Sequence, residues 1–154
     1  MEHKVFGAPQ PGVTYRARPG AYGVAFDDAG RAAVVYCDRK GYFLLGGGVD
    51  PGEDEPSCIC RETLEETGRA VTVREKVCIG EEYTVDLKGR PYHPIGHIYL
   101  LGLGEQVSQP VETDHVLTWM TVEEFQKTTF LRYQSWAMGM AWEAYQKQRK
   151  EENQ

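Results

Sequence analysis

Between Gly46 and Gly68 the chain reads GGGVDPGEDEPSCICRETLEETG: a run of glycines, a turn-rich linker and a segment that closes on Glu62, Glu65 and Glu66. Asp54 is placed to cap a helix whose first turn accommodates Pro56, and Gly68 stands where a helix is left through a left-handed residue. These signals predict a helix over about 55–67. Residues three and four apart share a helical face, so the three glutamates project together. On an exposed face each like-charge pair costs only a few tenths of a kcal/mol, and the cluster is then simply solvated. In a cleft with an effective dielectric near 20, two charges ~5 Å apart repel by about 3 kcal/mol, and a set of three or four calls for a cation. Oxygen-only ligands suit Mg²⁺ or Mn²⁺. Glycines without Cβ let backbone groups approach such an ion, or a phosphate, closely.

The rest of the composition narrows the setting. The 154 residues fit one domain, 1–154, whose ends at 1–4 and 149–154 are open to fraying, with the polar tail KQRKEENQ expected either to fray or to extend a helix. A hydrophobic share of 41% argues for a folded chain, and the net charge of -6 argues against a nucleic-acid polymer or an anionic membrane as partner. The opening residues carry no apolar signal core, which points to the cytoplasm. Cys37, Cys58, Cys60 and Cys78 are accordingly expected to be reduced and mostly buried. Cys58-x-Cys60 lacks the spacing of common zinc knuckles. A monomer and a homodimer are both compatible with the sequence.

Along the chain, two β-rich runs flank Asp28-Ala29-Gly30 and predict a hairpin over about 20–38, and RKGYFLL predicts a short strand leading into a glycine loop. AVTVREKVCIGEEYTVD and YHPIGHIYLLGLG predict two long strands around LKGRP, and VLTWM a further short one. Thr121 and Glu124 have the spacing of a capping box, and Trp136, Met140 and Ala144 recur at helical spacing in a final helix.

Gly47, Glu53, Arg61-Glu62, Glu65-Glu66 and Gly68 keep spacings that, at residue frequencies of roughly 6%, coincide by chance in a chain this long less than about once in a million. The pattern resembles the Nudix box. The resemblance implies an α/β fold of the α/β/α sandwich type, with a mixed β-sheet between helices. It also implies hydrolysis of a diphosphate linkage in a nucleoside diphosphate derivative, with Mg²⁺ or Mn²⁺ as cofactor and a small-molecule nucleotide as partner. By resemblance, Glu62, Glu65 and Glu66 hold or neighbour the metal with a backbone carbonyl of Gly46 or Gly47, and Arg61 pairs with Glu53. Thr63 and Arg69 stand where the family usually has aliphatic residues; Thr63 is expected to face partly inward and Arg69 to turn to solvent. Leu45 and Asp50 replace a common proline and glutamate.

The family differs in its general base, which leaves the box glutamates and the distant Glu112 and Asp114 open, with Glu81 and Glu82 as weaker candidates. Arg16, Arg18, Arg39 and Lys40 are candidate phosphate contacts beside Gly46, Gly47 and Gly48. Tyr83, Tyr92 and Trp119 are candidate stacking residues whose strand spacing equally suits a core. His93 and His97 alternate on one strand, a structural arrangement that could also face a pocket. No proline at the spacing of ADP-ribose pyrophosphatases and no SQPWPFP run is present, which leaves the broad MutT-like group, often acting on nucleoside triphosphates, as the best resemblance. A nucleotide sugar or dinucleotide hydrolase is an alternative. Another is a nucleotide-binding sensor without turnover, which would be expected to have lost a box glutamate.

Overall fold

A computed structural model describes all 154 residues. The elements are β1 (Glu2–Phe6), β2 (Arg16–Val24), β3 (Arg31–Cys37), β4 (Gly41–Gly48), α1 (Glu55–Thr67), β5 (Arg69–Glu82), β6 (Thr84–Val85), β7 (Pro91–Gln106), β8 (His115–Thr121), α2 (Val122–Thr128) and α3 (Arg132–Glu152). The strands form one mixed sheet in the order β1-β5-β7-β2-β4-β3-β8, with β6 beside β7. β1 runs parallel to β5 and β2 parallel to β7, while the other pairs are antiparallel.

Alternation along the strands builds a core on each face. Tyr22 and Val24 of β2 join Ile98, Leu100, Phe125, Ala137 and Met138 under α2 and α3. Ala21 and Ala25 join Leu45, Cys58, Ile59 and Leu101 under α1. The result is the expected sandwich of helices around a mixed sheet. No helix is long and apolar enough to cross a membrane.

Local signals set the helix ends. The Asp54 carboxylate accepts a hydrogen bond from Ser57 N, and Gly68 leaves α1 at φ 73 while its N–H reaches the Leu64 carbonyl. Thr121 and Glu124 complete the reciprocal capping box of α2.

The strand connections differ from the sequence reading in three places. The runs around Asp28-Ala29-Gly30 touch only near their turn, where Phe26 bridges Ala32 and Ala33 N donates to the Ala25 carbonyl. Beyond that point they separate, and β4 enters between them, its first half pairing with β3 and its second half with β2. Secondly, the three glycines are strand rather than loop: Gly46, Gly47 and Gly48 pair with Tyr22, Ala21 and Gly20. Thirdly, residues 2–4, at an end where fraying is expected, belong to β1, whose Glu2–Phe6 lie along Cys78–Glu82; at the other end the tail extends α3 to Glu152, one of its two expected forms.

The change of partner within β4 opens the sheet locally. At the split, the Leu44 N–H has left one neighbour without meeting the other, and it donates instead to Oε1 of the buried Gln134 at 2.9 Å. A cavity of about 450 Å³ opens along this split.

Candidate active site

β4 and α1 meet face to face at one end of the cavity. Arg61 locks them: its Nε and one terminal nitrogen form a two-pronged contact with Glu53, at 2.7 and 2.9 Å, and it also donates to the Gly48 carbonyl at 3.1 Å. Its other terminal nitrogen donates to Glu62 at 2.9 Å and, at 3.4 Å, to Glu65. The guanidinium holds the Glu53 carboxyl down at about 2, well below the usual range. Its planar fork suits this paired recognition, which a lysine cannot reproduce.

Glu66 lies one turn along and is 5% exposed. Its carboxylate accepts a single hydrogen bond, from Gly46 N at 3.2 Å. Burial raises its pKa well above the ordinary value, and the nearby Glu62 and Glu112 push in the same direction. Burial likewise raises the Glu62 carboxyl, against the lowering effect of Arg61. The box thus places negative groups where water solvates them poorly.

Of the two distant candidates, the structure brings Glu112 to this cluster and Asp114 to a different one. Oxygens of Glu62, Glu65 and Glu112 lie within 4.8 Å of one another, as do ligand atoms of Glu66, Glu112 and His115. Asp114 turns instead toward His115 and Cys37. Clustered carboxylate oxygens, with Glu62 and Glu66 already raised by burial, fit a hard divalent cation, which would offset their repulsion.

The other cavity walls carry Arg16, Arg18, Lys40, Lys88 and Arg90, with Phe43, Tyr92 and Phe130. Asp86 organises the turn between β6 and β7, accepting from Lys88 N and Arg90 N at 2.9 Å each. The floor is Tyr22, Leu44, Tyr133 and Gln134.

Several sequence candidates stand elsewhere. Arg39 sits on the β3–β4 turn at φ 63 and does not line the cavity, whereas its neighbour Lys40 does. Tyr83 stacks on His93, with ring centroids 4.1 Å apart, and Trp119 packs under α1. Glu81 is held between His3 and His93. Glu82 accepts from Tyr133 N and Arg132. His97 contacts Lys76 and Glu55 on the α1 side of the sheet. Arg69 donates to the Gly104 carbonyl at 2.7 Å rather than turning to solvent. Thr63 is wholly buried, deeper than expected, and its hydroxyl has no partner.

Sequence reasoning missed His115, Tyr22, Tyr133 and Gln134. His115 carried a usable signal, three residues after Glu112 at the start of a strand. The other three resemble core residues in any linear reading, because only the split in the sheet exposes them to a cavity.

Comparison with known proteins bears on the whole arrangement. The NUDIX domain family model matches residues 16–137. Sequence comparison with curated proteins gives no match. Similar solved structures include a MutT NUDIX hydrolase from Burkholderia pseudomallei, with TM-score 0.63, 22% identity, and coverage of 81% of this chain and 98% of that one. The MutT protein from Methanosarcina mazei Go1 gives TM-score 0.60 at 16% identity, covering 88% and 99%. A structure described as UDP-X diphosphatase gives TM-score 0.60 at 16% identity, covering 88% and 68%. At these identities the likeness concerns the fold, while the matched domain takes in both the glutamate helix and the sheet that carries it. The chain belongs to the Nudix hydrolase family.

Proposed function

We propose that this protein hydrolyses a diphosphate linkage in a nucleoside diphosphate derivative with the help of a divalent cation, Mg²⁺ or Mn²⁺, and that a nucleoside triphosphate is its best substrate class, as in MutT-like pyrophosphohydrolases. The observation that carries the reading is the convergence of Glu62, Glu65, Glu66 and Glu112 at one end of a cavity whose remaining walls are cationic and aromatic.

Glu62, Glu65 and Glu66 would hold the cation, which when bound neutralises diphosphate charge and favours deprotonation of water. Arg18, Lys40 and Lys88 supply charge for phosphate oxygens farther along the cavity, and Tyr92 and Phe43 offer faces for a base. Arg61 keeps Glu62 in place from behind. Glu112, the distant carboxylate that reaches the cluster, is assigned the proton of the attacking water at its carboxylate oxygen. Positioning and electrostatics account for most of what such a site needs to do.

The test is a panel of nucleoside triphosphates, nucleotide sugars and dinucleotides incubated with Mg²⁺, with wild type compared to Glu66→Gln. Metal-dependent release of pyrophosphate from triphosphates, strongly reduced in the variant, is the expected result. Cleavage confined to nucleotide sugars would replace the substrate class, and tight binding without turnover across the panel would favour a sensor.

A further inference from the structure

Cys37 and His115 are register partners across the antiparallel β3–β8 pair. Directly opposed residues on one sheet face hold their Cβ atoms about 4.5–5.5 Å apart, so two strands fix this pair without help from any loop. Both side chains line the cavity beside the glutamates. Asp114 joins them, with Oδ1 2.9 Å from His115 Nδ1 and Oδ2 4.0 Å from the Cys37 sulfur. Its own backbone is anchored, since Asp38 N donates to the Asp114 carbonyl at 3.0 Å. Ligand atoms of all three residues lie within 4.8 Å of one another.

We propose that Cys37, Asp114 and His115 form a second cation site, distinct from the glutamate cluster and selective for a thiophilic divalent ion, Zn²⁺ foremost. One sulfur, one nitrogen and one oxygen donor suit zinc and ill suit Mg²⁺, which prefers oxygen alone. Tetrahedral zinc with bonds of ~2.0–2.3 Å sets its ligands roughly 3.6 Å apart, so the 4.0 Å between the Cys37 sulfur and Asp114 closes slightly and the 2.9 Å between Asp114 and His115 opens. Asp114, whose side chain is 54% exposed, is free to make that adjustment while the two strand residues stay put. Binding releases the thiol proton to solvent, and three protein ligands leave a fourth position for water.

The two groups share a residue. His115 Nδ1 also stands 3.0 Å from Glu112 Oε2. Zinc on His115 withdraws that contact from Glu112, so occupancy of the thiol site reports on, and disturbs, the neighbouring glutamate cluster. The alternative arrangement, a core thiol beside an ordinary carboxylate–imidazole pair, gives no thiolate ligation. Binding is read on the metal itself and does not depend on the hydrolase reading.

The experiment adds Co²⁺ to the full chain in excess Mg²⁺, which occupies the carboxylates. One equivalent is expected to produce the near-ultraviolet thiolate-to-cobalt band, and Zn²⁺ to abolish it by displacement. Cys60→Ser, at an exposed cysteine outside the cluster, keeps the band, and Cys37→Ser loses it. Asp114→Asn weakens zinc at least tenfold in competition with a chromogenic chelator. Absence of the band in wild type, or its persistence in Cys37→Ser, overturns the site. Should circular dichroism show Cys37→Ser unfolded, Asp114→Asn decides, and unchanged zinc affinity there overturns it as well.

Discussion

A Cβ placed on Gly47 would stand 2.5 Å from the carboxyl carbon of Glu62, so strand and helix meet there with no space for a side chain. The atom in the way belongs to the end of a flexible side chain, which can swing aside at little cost to folding. Gly47→Ala is therefore expected to keep its thermal midpoint within about 3 °C of wild type. Its hydrolysis should drop ~100-fold, the scale of loss that a misplacement of about 1 Å produces. Wild-type turnover in this variant would show that Glu62 has no need of its present position.

Arg61→Lys retains the charge and loses the fork that joins Glu53, Glu62 and the Gly48 carbonyl. Partners that orient metal-holding groups typically matter by about 10–100-fold in metal affinity or activity. A Mg²⁺ titration of activity should show a weaker apparent affinity and a lower kcat/KM. Equal curves for variant and wild type would remove Arg61 from any positioning role.

Glu66 sets a pH dependence. Its folded pKa is raised, chiefly by burial, above the ordinary 4.5. A raised carboxylate stabilises the fold below the unfolded value, and that contribution is lost as pH rises through the folded one. The metal-free protein should consequently become more stable on acidification from neutrality toward pH ~5. Glu66→Gln should flatten that rise and be the more stable protein at neutral pH. Mg²⁺ should raise the wild-type midpoint at neutral pH and lose this effect in acid, where protons compete for the same oxygens. Calorimetric scans across pH with and without Mg²⁺ would contradict this if the two proteins gave parallel profiles.

Thr63 buries a hydroxyl with no partner inside α1. An unsatisfied buried group costs ~1–3 kcal/mol, and valine has nearly the same shape. Thr63→Val is expected to gain about 1 kcal/mol, or roughly 2–4 °C, with unaltered turnover. Lower stability would mean that the hydroxyl is satisfied in solution.

Glu112 and Asp114 separate cleanly by experiment. Glu112→Gln is expected to lower kcat by ~100-fold or more, the usual weight of a proton-accepting group. Asp114→Asn, whose carboxylate faces Cys37 and His115 instead, should lose less than about tenfold in Mg²⁺ alone. The reverse order would move the base to Asp114.

Local chemistry was legible in the sequence to the residue. Asp54, Pro56 and Gly68 act within one or two turns of their own helix, and the observed bounds of α1 coincide with the expected ones. The box glutamates share a face for the same short-range reason. Pairing was far less legible, because it depends on a partner distant in the chain. The turn at Asp28-Ala29-Gly30 forms, yet nothing local reveals that β4 will enter between the strands it joins. The polar β1 gave no strand signal either, since its reason to be ordered is the edge of β5. Gln134 illustrates the combined effect: it looks like a misplaced polar residue on a core face until the split at Leu44 supplies the donor that it accepts.

The last turn of α1 leaves carbonyls without helical partners, and the segment before β8 takes them up. Val107 and Ser108 donate to the Gly68 carbonyl, and Val111 and Glu112 to that of Glu65. Glu112 is thereby sewn to the helix that bears the other three glutamates. If α1 rocks against the sheet, the fourth carboxylate is carried along with it, and the gauge of the cluster is preserved while its distance to the substrate walls varies. Insertions between Ser108 and Val111 would leave both stitches intact, whereas a single inserted residue between Val111 and Glu112 would break the gauge at once.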